Sequence, residues 1–228
     1  RSVQLTPDRA CPYYCELLIY LNWDGSTGRA EKFLAELPAH IDLEESPPIN
    51  YPWVVIEMIE KKYAQALERL SSRPSQAYSF WLFYVPKDLL AAQVYGLMGQ
   101  PERARASYEA ARGALETKVQ EQPDDDRFRS ALGIVYAGLG RRDDAVREGK
   151  LGLELLAGNE NFALGYRLKD LAQIYAMVGD HDEAINQLER LLSVPSHFGA
   201  RYFSIDPAWN SLRDEPRFQA LLEQYTPR

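Results

Sequence analysis

Residues 166–195 read Y-R-L-K-D-L-A-Q-I-Y-A-M-V-G-D-H-D-E-A-I-N-Q-L-E-R-L-L-S-V-P, and the spacing of their apolar side chains governs the reading of the whole chain. Leu168, Leu171, Ala172 and Tyr175 recur at helical spacing and make one apolar stripe; beyond Gly179-Asp180, Ala184, Leu188 and Leu191 do the same. Gly179 suits a left-handed helix end, Asp180 stands where a cap is needed, and Glu183 completes a capping box. The stretch predicts two amphipathic helices folded back on each other. Ala172 and Ala184 sit at their closest approach, with Tyr175 and Leu188 filling the space beside it.

A lone helix pair cannot bury its stripe, so further copies are expected. Leu132-Gly133, Tyr136, Gly140 and Ala145 repeat the pattern, and so do Ala91-Ala92, Tyr95, Gly99 and Ala104. Fainter copies run through Leu17-Leu18, Leu21, Gly25 and Ala30, and from Trp53-Val54 to Ala66-Leu67. The latter departs most, with Glu57 where the others carry Tyr or Leu and Val54 in place of the usual Gly or Ala. The marker residues Ala30, Ala66, Ala104, Ala145 and Ala184 are 36, 38, 41 and 39 positions apart. This pattern resembles the tetratricopeptide repeat (TPR), whose usual period is about 34 residues. The resemblance implies an all-α, right-handed α-solenoid of about five TPR-like helix pairs. Its parts are an entry tail (1–10), a solenoid (11–195) with two degenerate repeats (11–73) and three clearer ones (85–195), and a C-terminal cap (196–228).

Within that frame the aromatic run at 77–85, A-Y-S-F-W-L-F-Y-V, has the composition of a buried strand, but no partner strand is evident. It is expected as helix or as an extended link packed between the second and third repeats, or else as a binding patch. In the cap, Asp206-Pro207 and Asp214-Glu215-Pro216 read as helix starts. Ile205, Trp209, Leu212, Phe218, Leu221 and Leu222 offer an apolar face to the last repeat, while Arg213, Gln219 and Glu223 face water.

Composition narrows the functions. A formal charge of -7 argues against a general nucleic-acid or anionic-membrane binder, and no apolar run reaches the roughly 20 residues of a membrane span. The start at Arg1, without a signal-peptide pattern, is expected of a piece or processed form of a longer protein. A soluble chain is expected, in the cytoplasm rather than the periplasm. Cys11 and Cys15 in C-P-Y-Y-C are separated by three residues rather than the two of a thioredoxin-type motif, and no His or further Cys accompanies them. They read as incidental helix thiols, with thiol redox chemistry as the alternative. The run Asp124-Asp125-Asp126 lacks the glycine and distal glutamate of a calcium loop and reads as a helix cap. No cofactor, metal or catalytic set is expected, since the phosphate-binding glycine loop and the kinase motifs are absent.

The segment from Val85 to Tyr225 also resembles the C-terminal TPR region of bacterial multidomain signalling proteins, which follows cyclase, kinase or TolB-like domains. V-P-K-D-L-L-A-A-Q-V-Y-G-L-M-G-Q-P-E-R-A, S-A-L-G-I-V-Y-A-G-L-G-R and D-P-A-W-N-S-L-R-D-E-P-R-F-Q-A-L-L carry the likeness. It implies a non-catalytic interaction or assembly module, binding a peptide or protein partner in a concave groove, with homo-oligomerisation of the parent protein as the alternative. The groove positions are Gln93, Arg127, Ser130, Ile134, Tyr166, Lys169 and Gln173. They lie on the helix face opposite the small packing residues and are expected to be exposed. A carboxylate clamp is not expected, because Lys169 alone is cationic among the matching positions Leu89, Gln93, Ser130, Ile134, Lys169 and Gln173.

Overall fold

The computed structural model describes residues 10–37, 47–72, 75–156 and 162–226. The helices pair in chain order: α1 (Ala10–Asp24) with α2 (Gly28–Ala35), α3 (Pro47–Ile59) with α4 (Tyr63–Ser71), α5 (Lys87–Leu97) with α6 (Pro101–Glu121), α7 (Asp126–Gly138) with α8 (Arg142–Glu154), and α9 (Phe162–Met177) with α10 (His181–Leu192). A short α11 (Ala200–Ile205), a 3-10 turn (Pro207–Leu212) and α12 (Pro216–Tyr225) follow. The chain is predominantly helical.

One turn design recurs. At Gly179 (φ 79°) the Asp180 N–H donates to the Tyr175 carbonyl at 2.9 Å and the Gly179 N–H to that of Ala176 at 3.3 Å, the two bonds of a Schellman turn. Gly140 repeats them onto Tyr136 and Ala137, and Gly99 onto Tyr95 and Gly96. In the second pair the same bonds run to Glu57 and Met58, and the left-handed residue is Lys61 (φ 59°). Glu57 therefore holds the place of the tyrosines. Its buried carboxylate is met by Arg69 at 2.6 Å, and the Arg69 guanidinium lies 4.0 Å from the centre of the Trp53 ring.

The marker residues Ala30, Ala66, Ala104, Ala145 and Ala184 are all buried. At Gly133 a Cβ would stand 2.6 Å from Ile174 Cδ1 and 3.0 Å from the Ala145 carbonyl, so the crossing of α7, α8 and α9 admits no side chain there. The capping box is not formed, because the Asp180 side chain makes no cap bond and pairs with Arg142 at 3.0 Å instead. Asp125, by contrast, caps α7 by accepting the Arg127 N–H at 3.0 Å.

The aromatic run is neither helix nor simple link. It forms an antiparallel hairpin, β1 (Ala77–Phe80) and β2 (Phe83–Pro86), with Tyr78 opposite Val85 and Phe80 opposite Phe83. This corrects the all-α expectation for the segment. Two-residue hairpin turns favour glycine or asparagine at positive φ, and neither Trp81 nor Leu82 has a positive φ. The turn is held from outside: Arg127 of α7 donates to the Phe80 carbonyl at 2.9 Å and Arg167 of α9 to the Leu82 carbonyl at 3.0 Å. Tyr78, Leu82 and Phe83 are buried against α1, α3, α4, α5 and α9, while Trp81 is exposed.

Helix α9 joins everything. Leu168, Leu171, Ala172 and Tyr175 pack toward α10, the C-terminal segments and the first helix pair; Ile174 packs toward α5 to α8; Ala163 and Tyr166 pack toward α3, α4 and the hairpin. The C-terminal segment does cover the last pair, with Trp209, Leu212, Phe218 and Leu221 buried. It also meets the beginning of the chain. Asn22 donates to the His197 carbonyl at 2.6 Å and accepts the Gly199 N–H, Arg201 donates to the Trp23 carbonyl, and α11 lies against α1. It is thus a bridge between the two ends rather than a terminal cap alone. Arg213 is correspondingly turned inward, donating to the Ser204 and Asp206 carbonyls.

Candidate functional site

Because the hairpin, α3 and the C-terminal segment lie over the inner helices, the face expected to be an open groove is largely covered. What remains is a chamber of ≈ 230 Å³. Its wall is mostly apolar and aromatic, with Tyr51 and Val55 from α3, Phe83 and Tyr84 from β2, Leu89 and Leu90 from α5, and Tyr202 from α11. Gly96, Met177, Pro207 and Ala208, which are exposed or half-buried, mark its outer rim.

Five of the seven expected groove residues line this one space: Gln93, Ile134, Tyr166, Lys169 and Gln173. They converge because α5, α7 and α9 are the first helices of successive pairs and turn the same face inward. The expected exposure is not found, since Ile134, Tyr166 and Gln173 are buried. Ser130 is fully buried and lies against α8, where a Cβ on Gly152 would stand 2.4 Å from its hydroxyl. Arg127 serves structure: besides holding Phe80 it pairs with Asp125 at 2.6 Å. Arg127 is therefore taken up by the hairpin turn and the α7 cap rather than free on a groove face.

The chamber has a charged floor outside the seven expected groove positions except for Lys169. Arg167, 1% exposed, pairs with Asp126 at 2.9 Å and Asp170 at 3.0 Å, leaving Nε without a partner among the described residues. Lys169 lies 3.1 Å from Asp170. Burial would push the Lys169 ammonium down, but Asp170, then Tyr51 and Asp206, outweigh it and hold it above its usual range. The Asp206 carboxylate accepts the Ala208 N–H at 2.9 Å and lies beside Tyr202, whose phenol is held well above its usual range first by burial and then by that carboxylate. Tyr51 and Tyr166 are likewise pushed up by burial, so all three phenols stay neutral near pH 7. Tyr166 shares a hydrogen bond with Tyr14 of α1. The amides of Gln93 and Gln173 hydrogen-bond to no described residue, although Gln173 is only 7% exposed.

The sequence carried a signal for this floor: R-L-K-D at 167–170 puts three charges on a helix otherwise apolar on every side, and such charges must be paired when buried. The aromatic wall contributed by α3 and α11 had none, because it depends on how distant segments fold back.

Among the described residues no group of three or more His, Cys, Asp or Glu side chains could hold a metal ion, and no helix is long and apolar enough to cross a membrane. Cys15 is half-buried; the Cys11 side chain lies outside the described residues, and the thiol pair goes with it.

No protein-family model matches the chain, and no curated protein matches it. Among solved structures the chain is similar to YrrB, described as a TPR protein with an unusual peptide-binding site, at 15% identity over 97% of this chain and 96% of that one. The TM-score is 0.34, too low for the likeness to carry an argument about fold or function.

Proposed function

We propose that the chain is a non-catalytic binding module of the TPR type, the recognition part of a larger regulatory or signalling protein, and that it takes its ligand in the chamber between α5, α7 and α9. The supporting observation is the convergence of Gln93, Ile134, Tyr166, Lys169 and Gln173 on one mostly enclosed space, where the Gln173 amide is bonded to no described residue. The TPR assignment rests on the recurring Schellman turns and buried alanines. An extended peptide along the whole inner face does not fit this arrangement, because the hairpin and α3 already lie on it; a peptide end or a small molecule does.

The test is a thermal-shift panel of short peptides and small molecules on the whole chain and on two variants, Gln173→Leu and Ile134→Phe. Stabilising ligands should lose their effect in Ile134→Phe, and those carrying an amide or carbonyl should lose it in Gln173→Leu as well, while circular dichroism stays unchanged. Ligands that stabilise all three proteins equally would move recognition off the chamber.

Self-association is a second reading, favoured by Ile19 and Trp23, one turn apart on α1 and 58% and 64% exposed. Sedimentation tests it: a dimer abolished by Trp23→Glu supports assembly, and a monomer at high concentration removes it.

A further inference from the structure

The chamber also has a chemistry that narrows what it accepts, granted that it is the binding site. Volume sets the size. An apolar cavity of about 150 Å³ admits benzene, and this one, at ≈ 230 Å³, is about half as large again, room for two fused rings or their aliphatic equivalent. The walls are flat-faced: Tyr51, Phe83, Tyr84, Tyr108, Tyr166 and Tyr202 line it, and such rings stack on a planar guest.

Charge sets the rest. Two cations, Arg167 and Lys169, and two carboxylates, Asp170 and Asp206, line the space; both cations meet Asp170, at 3.0 and 3.1 Å, and Asp206 accepts the Ala208 N–H at 2.9 Å. A carboxylate entering here would leave its water and find both cations already paired, and an ammonium would find Asp170 paired and Asp206 already bonded to a backbone N–H in the field of Lys169. A neutral polar group meets no such opposition. The polar atoms left over include the amides of Gln93 and Gln173, which each offer donors and an acceptor, the Arg167 Nε–H and phenol hydroxyls of the wall.

We propose that the chamber binds a small, uncharged, planar molecule of about two fused rings carrying a carbonyl or amide group, which Gln173 and Gln93 read by hydrogen bonds while the aromatic walls stack on its faces. Gly96 marks the entrance: it lines the rim, and a Cβ there would meet nothing within 4 Å, so a large side chain can be placed at the mouth without disturbing the backbone.

The experiment uses calorimetry on the whole chain with four probes of one ring system: indole-3-carboxamide, indole-3-carboxylate, 3-(aminomethyl)indole and indole. The carboxamide should bind at least tenfold more tightly than either ion. Gln173→Leu should weaken the carboxamide at least fivefold and leave bare indole within about twofold, a separation that loss of folding cannot produce. Gly96→Phe should slow entry of both neutral probes by tenfold or more in stopped-flow fluorescence. Either ion binding as well as the carboxamide, or a carboxamide affinity indifferent to Gln173, overturns the proposal. If no indole probe binds while peptides from the wider panel still lose their effect in Ile134→Phe, the ligand class fails and the chamber stands; if chamber variants change nothing for any ligand, both fail.

Discussion

The helix pair just before the hairpin and the three after it are built by the same turn, and they are used differently. From α5 to α10 each pair stacks on the next, with glycine at every left-handed position and a tyrosine carbonyl accepting the outer of each turn's two Schellman bonds. In the second pair the turn survives with Lys61 and Glu57 in those places, and the pair leaves the stack to pack, through Tyr51 and the hairpin, over the inner face of α9. Local turn chemistry makes a helix pair; it does not say where the pair goes. Long-range contacts do that, and here two arginines carry them.

Breaking those contacts should have the largest effect. Arg167→Met leaves Asp126 and Asp170 without their buried partner and frees the Leu82 carbonyl, at a cost of about 3–5 kcal/mol in denaturant titration. Hydrogen exchange should accelerate first in the hairpin and α3. A loss below about 1 kcal/mol would mean the hairpin seats itself through its aromatic face alone.

Overpacking the regular region comes next. Ala184 is fully buried where α10 meets α9, so Ala184→Leu should cost about 1–3 kcal/mol. An unchanged midpoint would show that the crossing is looser than its burial implies.

Exchanging the turn residues compares the halves directly. Gly179→Ala should destabilise by about 1 kcal/mol, because a side chain at φ 79° carries left-handed strain. Lys61→Gly should stabilise by less than about 1 kcal/mol, strain relief being partly offset by the freer unfolded chain. Equal signs would dissolve the parallel between the two turns.

The smallest effect concerns pH. Burial holds the His197 imidazole below its usual range, between the rings of Tyr14 and Tyr166. As pH falls the unfolded chain takes up this proton before the folded one, so the stability contribution is full above the ordinary histidine value of about 6.5 and declines below it. Melting temperatures between pH 7.5 and 5.5 should fall, and fall less in His197→Gln. Parallel curves would remove His197 from the account.

The helix pairs, their turns at Gly99, Gly140 and Gly179 and the small crossing residues were legible in sequence because each is set by neighbours within a turn or two. Their signal is periodicity, and periodicity survives without knowledge of the fold. The capping box at Asp180 failed because Arg142, 38 residues away, competes for the same carboxylate. The hairpin was illegible because Trp81-Leu82 carries no turn signal; its conformation is imposed by arginines 47 and 85 positions away. The same holds for the chamber. Sequence placed Gln93, Ile134, Tyr166, Lys169 and Gln173 on one face by helical spacing alone. Whether that face met water or aromatic rings depended on α3, the hairpin and α11 closing over it, and that closure is decided by the burial of side chains far apart in the chain, which no local pattern records.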